Sequence, residues 1–271
     1  MTIKVRNRLN LTIFILSLIF LIFAFVFIGY QHIYTNFSLP EVFLTNQTSN
    51  NFLFGYNPYV VILSILFELF YAVLVLFLVR RNFFKTQSSI VLFFITYLTG
   101  CVFDSFRILI PLFHISGTFS QALLIIGDTS LFGRLLSTFS LMMIALFTLD
   151  DQPVQTDRNL LLLIVFSLFV AAIIPMNTAK ILPTFNVSYG YSHIVFILII
   201  IVEVLSVFTV FITNYRNESS QLQTLGFALL IAGYMLLIYT TNLFMLIIAY
   251  ILLGVGTGIY MFQLHNNYLW R

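Results

Sequence analysis

Apolar runs long enough to cross a bilayer follow one another along almost the whole chain, at about 9–30, 58–79, 88–113, 120–149, 159–175, 191–213 and 222–263. A membrane helix needs about 20 such residues to span the hydrocarbon core. Within that core each segment must satisfy its own backbone amides and carbonyls. The pattern therefore predicts an all-α integral membrane protein. Composition agrees: 61% of the 271 residues are hydrophobic and 8% are charged, whereas a soluble domain is about a quarter charged. The last run is too long for one helix, and Thr240, Thr241 and Asn242 interrupt it where a tight turn fits. Splitting it into 222–239 and 243–263 gives eight spans in a single polytopic domain, 1–271; a mere kink there would give seven.

Short cytoplasmic loops should hold the lysines and arginines. With the N-terminus inside, Lys4, Arg6, Arg8, Arg80, Arg81, Lys85, Arg158, Arg216 and Arg271 all fall on the cytoplasmic side, and Lys180 falls outside. Both termini are thus expected in the cytoplasm, the first run as an uncleaved span, and a plasma (cytoplasmic) membrane as the location. The net charge of +3 reads as this topology signal and not as a nucleic-acid surface. The sequons at Asn36 and Asn46 would lie outside, in an Asn-rich segment where such triplets arise by chance. Cys101 is the single cysteine, which excludes an internal disulfide and any Cys-rich metal site.

Shifting the chain by 135 residues aligns 51–82 with 186–217 without a gap. Asn51 meets Asn186, Gly55-Tyr56 meets Gly190-Tyr191, Glu68 meets Glu203, and Arg81-Asn82 meets Arg216-Asn217. Apolar identities are cheap in membrane segments, but polar landmarks at one offset are not. The match points to a parallel 4+4 helix duplication with halves 1–135 and 136–271, of the kind some transporters carry.

Ionisable residues inside the spans are the candidate site. Glu68, Asp104, Arg107, Asp128, Arg134 and Glu203 all stand in otherwise apolar runs, where each charge costs a few kcal/mol and must face the protein interior or a wet cavity. At 1.5 Å per residue they fall in one layer in the outer half and centre of the bilayer, from roughly 9 Å (Arg107) to roughly 21 Å (Arg134) from the outer ends of their spans. Asp104 and Arg107, three apart, share a helix face; Ser130, Arg134, Ser137 and Thr138 form a polar stripe on one helix. Such residues can be polar glue between helices or a ligand, ion or proton site. Four acids against two arginines favour a site. Either two acids carry protons, which makes proton coupling available, or a cation completes the balance.

Other features carry less. His114 and His193 lie near outer span ends, Gly254 to Gly258 has the GxxxG spacing of a close helix contact, and Asp150, Asp151 and Asp157 sit in a cytoplasmic loop. Tyr268 to Arg271 reads as an interfacial anchor. No span contains a lysine for a retinal Schiff base, and no Ser-His-Asp, HExxH or CxxC pattern supports an enzyme or a metal centre, so no cofactor is expected. The features point first to a proton- or cation-linked carrier of a small polar or amphiphilic solute. A ligand-sensing module acting through a separate signalling partner comes second, and a membrane-embedded lipid-modifying enzyme third.

Overall fold

The computed structural model describes residues 3–34, 53–83, 88–115, 120–149, 156–216 and 221–269. The sequons at Asn36 and Asn46, together with Asn51, Lys85, Asp150, Asp151, Asn217, Trp270 and Arg271, lie outside the described residues. The helices are α1 (Ile3–Tyr34), α2 (Pro58–Asn82), α3 (Ser89–Asp104), α4 (Ser120–Leu149), α5 (Thr156–Ile173), α6 (Ser192–Arg216), α7 (Gln221–Ile238) and α8 (Leu243–Leu269). A 3-10 turn, Ser105–Ile108, and a final helical turn, Leu109–Leu112, extend α3. Among the described residues eight helices, α3 counted with its extension, are long and apolar enough to cross a membrane. The chain is therefore a helical multi-pass membrane protein.

Local chemistry sets the helix boundaries. Pro58 opens α2, where its missing N–H costs nothing, and the Asn57 side chain accepts from the Tyr59 amide at 3.0 Å. At the interruption after α7, Asn242 accepts from the Met245 amide at 2.9 Å and so caps α8. The break is thus a true helix end, which settles eight helices against seven. The Asn57 amide donates to Thr241 O at 3.1 Å, tying this turn to the start of α2.

The distribution of side chains is that of a protein dissolved in lipid. The largest fully buried side chains are Arg107 and Arg134, whereas Leu16, Val26, Phe166, Ile201 and Phe208 point outward. In water so much exposed apolar surface would drive association; facing acyl chains it costs nothing. α2, α3 and α4 are the most enclosed helices, and α1 and α5 are peripheral. α2 packs against α1, α3, α7 and α8, while α4 packs against α3, α5 and α6.

Two interfaces rest on glycine. A Cβ on Gly133 of α4 would collide with the Asp104 amide and come within 2.6 Å of the Gly100 carbonyl oxygen. The α3 and α4 backbones are in contact there, as small residues permit in membranes. The α7–α8 pair is equally close: a Cβ on Gly256 would collide with the Leu230 amide, and one on Gly233 would come within 2.8 Å of Leu253. The GxxxG expectation is corrected at this point. Gly254 and Gly258 face open space, and it is Gly256 between them that makes the close contact.

One element departs from an all-α chain. β1 (Met176–Ile181) and β2 (Val187–Tyr189) form an antiparallel hairpin, with Met176 opposite Tyr189 and Ile181 opposite Val187. At its tip the Leu182 amide donates to Asn186 O at 2.8 Å, and Phe185 takes a positive φ of 57°. A bulky residue rarely adopts that region. Phe185 does so while fully buried among Ile62, Ile65 and Leu66 of α2 and Ile108 and Leu112 beyond α3, so the hairpin tip is plugged into the end of the bundle.

Gly133→Ala is expected to destabilise the protein by about 1–3 kcal/mol through overpacking, and Gly254→Ala to change stability by less than about 0.5 kcal/mol. Thermal unfolding of the two variants in detergent, beside the wild type, checks the pair; equal effects would contradict the assignment of the close contact.

Candidate functional site

The close approach of α3 and α4 brings their charges face to face. Asp104, at the end of α3, is fully buried and accepts from Ser130 Oγ at 2.7 Å and from Arg134 Nη2 at 3.0 Å. Ser130 and Arg134 are four apart on α4, so one helix face presents both to the same carboxylate. Arg107, one turn beyond Asp104, places Nη2 3.7 Å from Asp104 Oδ2 and donates to Glu68 Oε2 of α2 at 3.0 Å. Its Nη1 reaches the carbonyl of Ile238, the last residue of α7, at 3.3 Å. That carbonyl belongs to a helix C-terminus, where the backbone dipole favours a cation.

The hairpin completes the cluster. Asn186 beside Phe185 accepts from Arg134 Nη2 at 3.1 Å and lies 3.2 Å from Ser130 Oγ, whose one proton it shares with the nearer Asp104, while its own Nδ2 donates to Thr184 Oγ1 at 2.9 Å. Tyr239, just past α7, lies with its ring centroid 5.8 Å from Arg134 Cζ, close enough for the ring face to attract the guanidinium. The network therefore joins α2, α3, α4, the end of α7 and the hairpin tip. None of Glu68, Asp104, Arg107, Ser130, Arg134 and Asn186 is more than 5% exposed.

The helix changes its winding at this network. Residues Ser105–Ile108 are 3-10 and not α. Pro111 supplies the reason, since it has no N–H to give the carbonyl of Arg107 four residues earlier. The tighter 3-10 turn changes the angle between the two side chains, so that Arg107 meets Glu68 while Asp104 meets Arg134 of α4.

Hydrogen bonding in the network is incomplete. Glu68 Oε1, Arg107 Nε and Arg134 Nε are buried without a hydrogen-bond partner among the described residues. Buried polar atoms in a purely structural network are normally satisfied, because each one left bare costs about 1–3 kcal/mol. Two carboxylates face two guanidiniums here, so the formal charges balance within the cluster.

The remaining expected site residues stand elsewhere. Asp128 is half-buried on α4, with no hydrogen bond or ion pair to any described residue, and is not brought into the cluster. Glu203 is 2% exposed on α6, where Thr138 Oγ1 donates to Oε1 at 3.5 Å and Oε2 has no partner among the described residues. The surplus of acids over arginines therefore does not sit in one place. His114 and His193 are exposed at span ends. Sequence reasoning did not single out Asn186 and Ser130 as ligating residues; Ser130 was legible as the i−4 neighbour of Arg134, whereas Asn186 lies in a loop with no periodicity.

Asp104→Asn is expected to cost about 3–5 kcal/mol, because it leaves Arg134 buried and uncompensated. The double variant Asp104→Asn with Arg134→Gln should recover much of that loss. A double-mutant cycle on thermal unfolding in detergent measures the coupling, and additive losses would contradict the pairing. No protein-family model matches the chain and no curated protein matches it.

Proposed function

We propose that the protein is a proton- or cation-linked carrier of a small polar or amphiphilic solute, and that the Glu68–Arg107–Asp104–Arg134 cluster is its solute site seen closed. The observation that carries this reading is the bare valence of the network: Glu68 Oε1, Arg107 Nε and Arg134 Nε are desolvated yet unbonded to described residues. Donors and acceptors held in that state are available to a guest. The span that carries Asp104 and Arg107 tightens from α to 3-10 geometry over Ser105–Ile108, beside these charges. Because the cluster is charge-balanced, a solute carrying both signs displaces its internal pairs at the lowest electrostatic cost. A small zwitterion is the first solute class to try, its anion on Arg107 and Arg134 and its cation on Glu68. Proton uptake by Glu68 would release Arg107 from its pair and so link proton and solute.

Entry from the hairpin side requires Phe185 and Asn186 to withdraw. Positive residues gather at the opposite end of the bundle, so this reading puts both termini in the cytoplasm of a plasma membrane and the hairpin outside. A parallel repeat fits the same picture. The repeat-related acids Glu68 and Glu203 each bury an oxygen lacking a partner among the described residues, and the α3–α4 and α7–α8 pairs both close on glycine.

Thermal unfolding with a panel of amino acids and trimethylammonium zwitterions, followed by counterflow of any stabilising compound in liposomes, tests the proposal. The expected result is a solute that stabilises the wild type and exchanges across the membrane, with both effects lost in Glu68→Gln. Binding without counterflow would instead make the protein a sensor, working through a partner. Loss of stability alone in Glu68→Gln, with no solute response in the wild type, would make the cluster structural.

A further inference from the structure

Outside the cluster, the most informative feature is a cleft of about 860 Å³ between α6 and α7. Its volume is in the range of small-molecule sites. Phe196, Val204 and Phe208 of α6 and Met235 of α7 wall it. Val204 and Phe208 are 61% and 58% exposed, so the cleft opens sideways onto the bilayer. It exists because α7 presents Ala228 and Ala232 where larger side chains would close the gap.

One carboxylate lines this apolar cleft, that of Glu203. Among the described residues its Oε2 is buried without a partner, its Oε1 has a single long hydrogen bond from Thr138, and no ion pair reaches it. Tyr239, which also lines the cleft, has a buried hydroxyl without a partner among the described residues. An acid surrounded by hydrocarbon is expensive unless a donor meets it. With no cation supplied from within, the complementary group is one that brings its own positive charge on an apolar body.

We infer that the α6–α7 cleft is a lateral binding site for a single-chain amine amphiphile drawn from the bilayer. The ammonium sits on Glu203 and beside the Tyr239 hydroxyl, and the alkyl chain lies between Phe196, Val204, Phe208 and Met235. The site depends on Glu203 and the cleft, not on whether the Asp104 cluster carries a solute. Tyr239 touches both places, since its ring also faces Arg134. An amphiphile held there would stand one side chain from the ion network.

The test uses the full chain in nanodiscs of neutral lipid with diazirine-bearing dodecylamine, and the matching dodecanol as the uncharged probe. The amine is expected to label peptides of α6 and α7. Glu203→Gln should reduce that labelling by about ten-fold, the value of one charge-assisted hydrogen bond, while alcohol labelling stays weak and unchanged. Ala232→Phe fills the cleft from an exposed position and leaves Glu203 in place; it should abolish amine labelling without loss of fold. Equal amine labelling in the wild type and Glu203→Gln would overturn the assignment. So would alcohol labelling as strong as that of the amine, or labelling that persists in Ala232→Phe.

Discussion

The Asp104 carboxylate, taken out of water between two guanidiniums, is the interaction on which this bundle depends. An arginine in hydrocarbon is tolerable only with its charge answered, and Arg134 and Arg107 are the largest fully buried side chains among the described residues. Answering both from one carboxylate requires α3 and α4 to approach until their backbones touch. Gly100 and Gly133 permit that approach. The second acid, Glu68, ties α2 to the same centre, and the Ile238 carbonyl adds the end of α7. Electrostatics thus selects which helices are central, and apolar packing then fills the space around them.

The hairpin makes the end of the bundle conditional. Phe185 is fully buried at a positive φ of 57°, and the next residue, Asn186, accepts from Arg134. Withdrawing the tip would expose Ser130, Asp104 and Arg134 together. Beneath the tip, Arg107 Nε and Arg134 Nε have no hydrogen-bond partner among the described residues.

Much of this was legible in the sequence because membranes simplify the physics. The spans follow from length and apolarity, and the cost of charge in hydrocarbon marks Glu68, Asp104, Arg107 and Arg134 as one layer. Depth, however, does not give direction around a helix. Asp128 shares the layer, but six residues turn an α-helix by about 600°, or about 240° past a full circle, so it leaves the face that Arg134 occupies. Glu203 is equally deep yet lies across α4, where Thr138 and not an arginine meets it. The glycine spacing was readable while its orientation was not, which is why Gly256 and not Gly254 or Gly258 makes the contact. The hairpin was invisible because 176–191 has neither helical nor strand period, and its position depends on a cavity that exists only once α2 and α3 are packed.

The most direct test is access to the cluster from the hairpin side. In a Cys101→Ser background, Ser130→Cys places a thiol beside Asp104 and Asn186, and a small membrane-impermeant methanethiosulfonate cation reports when it can be reached. A closed but gated site predicts slow labelling of the folded protein from that side, accelerated when Phe185→Ala loosens the plug. Complete protection in both proteins until they are denatured would show a permanently sealed ion network, and the carrier reading would fall with it.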